Sequence, residues 1–531
     1  MRALAHALLP SSPRRGAGEA GGVVRRVDHP VALARDTPPV QEGRFATAIA
    51  AVIAAAALLS ACAVGPDYTR PSIASPDQWR IDYPQAAEVA NTRWWEQFDD
   101  PALNRLIDTA LRENRDLLIA AARVDQFVGQ LAVVRSQFYP QIGYSLDASR
   151  NRSSRVGQPP LAPGADPYYT LYQGALSAQW QIDLFGRVRR QSEAAQAQVY
   201  ASEQGRRGVI LTLVTSVATS YIALRGLDRQ LEIAQATAKN YADTARIFDL
   251  RFKGGVVSEV ELNQVESQYQ QALAAIPALE QQIAAQENLI SILLGRNPGP
   301  IPRGRTIDAF IAPGIPADLP STLLERRPDV LQAEQILVAT NANIGAAKAL
   351  YYPTLSLTGL LGSVSTAFGD FLTGPAAAWT VAAGLAGPIF TFGQIEGQVQ
   401  TAEAAQREAL ANYQQVILNA FRETNDALVG TVKKREETAA QTRRVAALRE
   451  YARLSRLRFD NGYAGFLEVL YAENELFAAE LAAVRSRADA YVQIVNVYQA
   501  VGGGWVDEAA RLAPRPLLGG APPAETATAP R

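Results

Sequence analysis

The sequence predicts an internally duplicated, mixed α/β membrane protein that combines pairs of β-strands with very long α-helices. Three observations lead to this class. Short motifs recur at a nearly constant spacing, two long segments lack proline, and two pairs of short segments alternate apolar with polar residues. Apolar residues make up 48% of the chain and charged residues 19%, which is enough apolar material for a large core or for a surface that faces lipid.

The chemical inventory of the chain argues against an enzyme. The only histidines, His6 and His29, and the only cysteine, Cys62, lie near the amino terminus. A mature chain that begins at an acylated Cys62 has no histidine and no free thiol for acid–base catalysis, for a nucleophile or for a zinc or haem site. We therefore expect no catalytic site, no metal and no cofactor other than a covalent lipid. The net charge of −1 gives no indication of nucleic-acid binding.

The amino-terminal region has the layout of a secretory signal. Arg44 precedes the apolar stretch 45–59, and small residues then lead into Cys62. Residues 59–62, with the sequence LSAC, resemble a bacterial lipobox, whose cysteine is acylated and becomes the first residue of the mature chain. The alternative is an ordinary signal peptide with a chance cysteine. Ala63 resembles the residue of lipoproteins sorted to the outer membrane, because an aspartate there usually marks retention in the inner membrane.

Four pairs of motifs indicate a duplication. Asp116 and Asp329 are 213 residues apart (329 − 116), and Tyr139 and Tyr352 have the same separation, whereas Phe185 and Phe392, and Arg251 and Arg458, are both 207 apart. Such a constant offset is difficult to obtain by chance, and the change of six falls in a loop. The chain therefore divides into a leader (1–61), a lipid-anchored segment (62–93), a first repeat (94–300), a second repeat (301–506) and a disordered tail (507–531).

Each repeat contains a predicted strand pair. Segments 141–149 and 172–184 place apolar residues at even positions and mainly polar or small residues at odd positions. This period of two is expected both of a membrane β-barrel strand with a wet lumen and of a half-buried soluble strand. The polar segment 150–166 between them is the expected extracellular loop. In a barrel, Trp180 on the apolar face is predicted to face lipid and Asp183 on the polar face to face the lumen. In the second repeat we predict strands from Leu355 to Leu361 and from Trp379 to Phe390.

A long helix and a shorter returning helix follow each strand pair. Segments 187–253 and 394–460 contain no proline, and apolar positions in the first of them recur in alternating steps of three and four. At 1.5 Å per residue, each helix would reach about 100 Å. The returning helices are predicted at 258–294 and 465–501. A soluble helical bundle is the alternative for these segments, but it leaves the strand pairs unexplained.

Four strands in one chain cannot close a barrel, and open strand edges are not tolerated in lipid. Other copies must therefore complete the barrel. Two copies would give eight strands, whose interior is filled by side chains, and three copies would give twelve and begin to leave a lumen.

Together these features resemble the outer-membrane factor (TolC-like) family. The resemblance covers about residues 62–506 and is carried by the motif WWEQFDDPAL at 94–103, by the lipobox and by the order of the paired motifs. It is greatest to the lipoprotein branch that serves tripartite efflux systems. The resemblance implies a homotrimer with a twelve-stranded outer-membrane barrel and a long periplasmic α-helical barrel. It also implies passive export of small molecules such as drugs, through contacts with a periplasmic adaptor protein and an inner-membrane transporter.

Three other functions stay open on the sequence alone: a channel for type I protein secretion, a non-channel coiled-coil lipoprotein and a lipid-anchored periplasmic enzyme. The resemblance also implies that two helix–helix turns form a periplasmic tip that contacts the adaptor. The tip residues are Arg251, Phe252, Gly255, Arg458, Phe459 and Gly462. The alternative is that the glycines serve the turns alone.

A ring of acidic residues narrows the periplasmic end of the channel in this family. Tyr471 stands where the family often has aspartate, so one such ring is expected to be missing here. Glu468 lies one helical turn earlier and, together with Asp460, is the gate candidate. The alternative for Glu468 is an ordinary solvated surface carboxylate.

Overall fold

The computed structural model describes residues 63–72, 92–157, 161–315 and 326–518, all of which belong to one unit of the chain. Cys62 and the leader lie outside the described residues. The predicted order of helix, strand pair, long helix and shorter helix occurs twice. The elements of the first repeat are α1 (Pro101–Glu113), α2 (Arg115–Ser136), β1 (Gln141–Arg152), β2 (Tyr168–Ile182), α3 (Arg187–Lys253) and α4 (Glu259–Leu293). Those of the second are α5 (Pro328–Lys348), β3 (Thr354–Ser365), β4 (Ala377–Ala386), α6 (Gln394–Asp460), α7 (Phe466–Val501) and a short α8 (Trp505–Ala510).

The bounds of the two long helices are confirmed, and each helix has 67 residues. Each begins after a glycine with left-handed backbone, at φ 78° for Gly186 and 85° for Gly393. This explains the recurring Phe-Gly motif, because a side chain is strained at positive φ. The returning helix α4 begins with a capping box, in which Ser258 and Glu261 satisfy each other's backbone amides.

The four strands form one antiparallel sheet in the order β1-β2-β3-β4. The register aligns Tyr144, Leu176, Leu361 and Trp379 in one row across the sheet. Because side chains alternate along a strand, this row and its even-numbered neighbours on β1 and β2 form one apolar face. Tyr144 is 80% exposed and Trp379 is 74% exposed, so nothing in the part of the chain that the structure describes covers this row of the apolar face.

The opposite face of the sheet is mainly polar or small, with Leu171, Leu360 and Val364 among its exceptions. One of its rows aligns Gln141, Gln179, Thr358 and Ala382. An apolar face that stays exposed is the pattern of a sheet that faces lipid, whereas a soluble sheet would cover it with other elements.

Strand bounds differ from the prediction on all four strands. Strand β3 runs from Thr354 to Ser365 instead of from Leu355 to Leu361. Residues 150–152 belong to β1 rather than to the loop. Strand β2 begins at Tyr168 and ends at Ile182 instead of residue 184. Strand β4 ends at Ala386 instead of Phe390, because Pro388 has no amide hydrogen to donate to the sheet.

An aromatic core joins the start of the first repeat to the end of the second. The ring of Trp94 stacks on that of Tyr498, with centroids 4.9 Å apart, and Trp505 meets Trp94 edge to face at 6.0 Å. Asp100 caps α1 by accepting a hydrogen bond from the amide of Ala102 at 2.8 Å. The tryptophan motif at 94–103 therefore lies in the main hydrophobic core of the fold.

The predicted disorder of the tail is wrong for residues 507–518. Trp505 begins α8, and Ala513 is buried. The carboxylate of Asp125 then accepts the amides of Leu517 at 2.9 Å and Leu518 at 2.7 Å. The tail therefore folds back onto α2. Residues 519–531 lie outside the part that the structure describes.

Two helical stretches, Pro101–Ser136 and Arg187–Lys253, are long and apolar enough to cross a membrane by composition alone. Residues of the second stretch, among them Val214, Val217 and Tyr221, are fully buried in the aromatic core. Their apolar character therefore serves packing between helices.

Candidate functional site: the strand wall and the helical tip

The four-stranded sheet is an incomplete wall. Strands β1 and β4 each pair on one side only within the part of the chain described, so two edges present backbone N–H and C=O groups without a ladder partner. In lipid such edges must be satisfied by another strand. The geometry therefore requires further strands from outside this protomer.

The junction between wall and helices is fixed by Asp183. The prediction that its carboxylate faces a lumen is wrong, because β2 ends one residue earlier. The carboxylate instead accepts the amide of Arg189 at 2.9 Å, with the Arg189 guanidinium Nε 3.5 Å away, and so caps the start of α3. Trp180 lies on the apolar face as predicted, and its indole N–H donates to the carbonyl of Phe138 at 2.9 Å.

The segment after Cys62 is attached to the same junction. The amide of Val64 donates to the carbonyl of Phe185 at 3.1 Å. The guanidinium of Arg190 donates to Asp67 at 2.7 Å, and the amide of Asn341 on α5 donates to the carbonyl of Pro66 at 3.1 Å. Residues 63–72 are therefore held where the sheet ends and the helices begin.

At the far end of the long helices, the two predicted turns have the same geometry. Gly255 has φ 70° and Gly462 has φ 76°. The amide of Val256 bonds back to the carbonyl of Arg251 at 2.9 Å, and that of Tyr463 to the carbonyl of Arg458 at 2.8 Å. These are the contacts of a helix that ends with a left-handed residue. A side chain built at either glycine would meet nothing within 4 Å.

The two turns pack against each other through aromatic rings. The rings of Phe248 and Phe466 are 4.2 Å apart, and those of Phe459 and Phe466 are 4.9 Å apart. The guanidinium of Arg251 lies 5.8 Å from the ring of Phe248 and 5.9 Å from that of Phe459. Arg251 and Phe459 thus belong to the packing of the tip, whereas Phe252 is 38% exposed.

The two gate candidates have different arginine partners. Arg458 donates to the carboxylate of Glu468 at 2.7 Å, and the hydroxyl of Ser455 lies 3.4 Å from the same oxygen. The carboxylate of Asp460 is 3.7 Å from Arg456 on its own helix. Tyr471 is 60% exposed. Within one protomer, both carboxylates are therefore partly neutralised.

Sequence reasoning missed a partly buried carboxylate near the tip. Glu473 on α7 has a pKa above its ordinary value because burial disfavours its charged form, and Arg456, 3.9 Å away, only partly opposes this. The buried hydroxyl of Tyr241 on α3 has no hydrogen-bond partner among the residues described. Nothing in the sequence distinguishes Glu473 from the exposed glutamates of the long helices.

A fully buried carboxylate, that of Asp100, lies in the aromatic core. The hydroxyl of Tyr221 donates to Asp100 at 3.0 Å and accepts the amide of Gly304 at 2.8 Å, while the amide of Arg305 donates to Asp100 at 2.9 Å. A side chain on Gly304 would meet Asp100 at 1.9 Å. This network fixes the start of α1 against α3. In the described ranges, no group of three or more His, Cys, Asp or Glu residues is placed to hold a metal ion.

A family model described as "Outer membrane efflux protein" matches residues 106–296 and 319–503. This is more than half of the chain, and each matched range lies within one of the two repeats. The chain belongs to the outer membrane efflux protein family. Proteins of this family are efflux channels of the outer membrane and are not classed as enzymes. The mixed fold, the duplication and the outer-membrane location expected from the sequence are confirmed.

Individual relatives agree with this assignment. The chain is 32% identical over 462 residues to "Probable efflux pump outer membrane protein TtgC" of Pseudomonas putida, which covers 85% of this chain and 94% of the relative. It is 31% identical over 457 residues to "Probable outer membrane lipoprotein SilC" of Salmonella typhimurium, at 85% and 97% coverage. The open-state structure of the Neisseria gonorrhoeae MtrE outer membrane channel superposes with a TM-score of 0.76 at 28% identity, over 84% of this chain and 99% of that one.

Proposed function

We propose that this outer-membrane efflux protein works as a homotrimer, in which three four-stranded sheets close a twelve-stranded barrel. The proposal is based on the four-stranded sheet, which has one exposed apolar face, one mainly polar face and two edges without a strand partner among the described residues. Three copies satisfy every edge and leave a lumen, whereas two would give a filled barrel. The polar face then lines a passive duct for small molecules such as drugs.

Native mass spectrometry of the purified protein and an accumulation assay test this proposal. The trimer mass is expected as the main species. A strain that lacks the chain is expected to accumulate a fluorescent efflux substrate, and the restored gene is expected to lower the accumulation. A stable monomer or dimer would contradict the barrel, and unchanged accumulation would contradict the export role.

We propose further that Cys62 carries the covalent lipid. The position of the next residue supports this. Ala63 lies at the junction of the sheet and the helices, 2.9 Å from a Cβ built at Gly186, the residue that precedes α3. Acyl chains attached to Cys62, one residue before Ala63, would enter the periplasmic leaflet of the outer membrane. Replacement of Cys62 by serine is expected to abolish labelling by a radioactive fatty acid, and persistent labelling would refute this assignment.

We also propose that the tip contacts the periplasmic adaptor, which couples the channel to an inner-membrane transporter. The exposed side chains of Phe252, Val256 and Tyr463 beside the two turns support this, as does the open space around Gly255 and Gly462. Arg251, Arg458 and Phe459 hold the shape of the tip. Their replacement would therefore affect stability together with adaptor binding.

Glu468 and Asp460 stay candidates for the gate. Three copies of the Arg458–Glu468 pair near the channel axis would form a ring of alternating charge rather than a purely acidic one. A Glu468→Gln variant would leave three arginines with fewer partners. Reduced cation selectivity in planar bilayers would support a position on the axis, and unchanged selectivity would place Glu468 on the outer wall.

A further inference from the structure

The end of the sheet farthest from the helices carries two arginines on the apolar face. Side chains alternate along β1, so Arg150 and Arg152 lie on the same face as Tyr144. Their contacts agree with this. Arg150 donates to the hydroxyl of Thr170 at 3.0 Å, and the Arg152 guanidinium lies 5.6 Å from the ring centre of Tyr168. Both side chains therefore point outward from the wall rather than into the duct.

Neither arginine has a carboxylate partner among the ion pairs of the described residues, whereas most arginines of the long helices have one. Both are exposed. Arginine at the outer surface of a barrel is costly in the hydrocarbon but tolerated at the interface, where it meets headgroups. An outward position without a carboxylate partner among the described residues thus points to an anionic ligand outside the protein.

The level of these arginines in the membrane follows from the strand. Arg150 lies eight residues beyond Ile142, where the apolar face of β1 begins. At about 3.3 Å per residue this is roughly 26 Å along the strand, and a tilt of about 40° reduces it to roughly 20 Å along the membrane normal. An apolar band of a barrel is about 25 Å tall. Arg152, ten residues beyond Ile142, lies by the same measure roughly 25 Å along the normal, at the edge of this band. The backbone of Arg150 lies about 5 Å below that edge, and its long side chain can extend toward it. The two guanidinium groups therefore lie at headgroup level on the extracellular side.

The loop between β3 and β4 adds an apolar cover beside the arginines. The ring of Phe368 meets that of Tyr172 edge to face at 5.5 Å, and the ring of Phe371 lies over Gly174, within 2.7 Å of a Cβ built there. Leu372 is 89% exposed. The loop thus folds over the outward face and presents apolar groups next to acyl chains.

We propose that Arg150 and Arg152 bind a phosphate on the sugar headgroup of an outer-leaflet glycolipid, and that Phe368, Phe371 and Leu372 contact its acyl chains. A guanidinium matches phosphate with two parallel hydrogen bonds, which an ammonium cannot form. The ring of Tyr168 holds the Arg152 guanidinium in place and offers a flat surface to the sugar. The site rests on the outer-membrane location of the family and does not depend on the number of copies in the channel.

The test uses the full-length protein in detergent and measures the apparent Kd for diphosphorylated lipid A by native mass spectrometry. The double variant Arg150→Gln/Arg152→Gln is expected to bind about tenfold more weakly. The matched control, Arg422→Gln/Arg453→Gln, removes two equally charged arginines, each 60% exposed, from α6 and is expected to bind as the unmodified protein does. The unmodified protein is also expected to bind dephosphorylated lipid A about tenfold more weakly than diphosphorylated lipid A.

Equal affinity of the double variant and the control would overturn the proposal. So would equal affinity for phosphorylated and dephosphorylated lipid. If inorganic phosphate binds these arginines but the variant still retains the lipid, the site serves a free anion and the lipid assignment is wrong. The variant Arg150→Lys/Arg152→Lys keeps both charges, and its affinity for diphosphorylated lipid A is expected to lie between those of the unmodified protein and the glutamine variant. It replaces the glutamine variant in the comparison if that variant folds poorly. Conductance of each variant, measured in parallel, shows separately whether the channel itself forms.

Discussion

Leu176 offers the sharpest test of which face of the wall meets lipid. It lies on β2 midway between Tyr172 and Trp180, four residues from each. Four residues span about 13 Å along the strand, or roughly 10 Å along the membrane normal at a tilt of about 40°. Leu176 therefore lies near the bilayer midplane. An arginine there is expected to cost about 2–4 kcal/mol of folding free energy.

The matched variant places the same residue on the other face. Gln179 on the same strand lies in the polar row, so an arginine there would project into the water of the duct and is expected to be tolerated. Folding free energies would be compared from urea titrations in phospholipid vesicles, followed by tryptophan fluorescence. A large cost for Leu176→Arg together with a small cost for Gln179→Arg supports the assignment. Equal costs, or the reverse order, would refute it.

Four further predictions concern the helical part. Tyr221→Phe leaves the carboxylate of Asp100 with one donor fewer and is expected to lower the free energy of unfolding by about 2–3 kcal/mol, measured by urea titration. Burial raises the pKa of Glu473, so its protonated form is favoured in the folded state, and stability falls as pH rises above the ordinary value of 4.5. Glu473→Gln should flatten this dependence and raise the urea midpoint at pH about 7. Gly462→Trp should reduce efflux without a lower trimer yield, and Glu468→Gln should reduce cation selectivity in bilayers.

Matched variants control for general damage. Tyr491→Phe removes a single hydrogen bond, to the carbonyl of Phe310, and is expected to cost only about 1 kcal/mol. Gly164→Trp adds the same side chain as Gly462→Trp at another exposed glycine of positive φ (87°), with nothing within 4 Å of its built Cβ, in the loop between β1 and β2 and away from the tip. A loss of efflux from both glycine variants, or a loss of trimer from Gly462→Trp, would leave the turn with a purely structural role.

The sequence was sufficient for features that depend on local backbone. The bounds of α3 and α6 followed from Phe-Gly motifs and from the absence of proline, because a left-handed glycine lies just outside each end of both helices. The two faces of the sheet followed from alternation along β1 and β2. The duplication then predicted β3 and β4, which are harder to recognise by themselves.

Long-range partners were not predictable in this way. The hydroxyl of Tyr68 and the guanidinium of Arg70 both bind Glu334, more than 260 positions along the chain, and the tail folds back onto Asp125 over nearly 400. Such pairs leave no periodic pattern in the sequence. The pairing of Glu468 with Arg458 also depends on how two helices meet across a turn.

Single-channel recording shows whether the assembled chain encloses an open duct across a membrane. Purified protein, shown by native mass spectrometry to be a trimer, would be added to a planar lipid bilayer at fixed voltage. Discrete conductance steps of uniform size are expected, because three four-stranded walls enclose one polar duct. A trimer that inserts stably but gives no conductance steps would contradict the assignment of the chain as a channel.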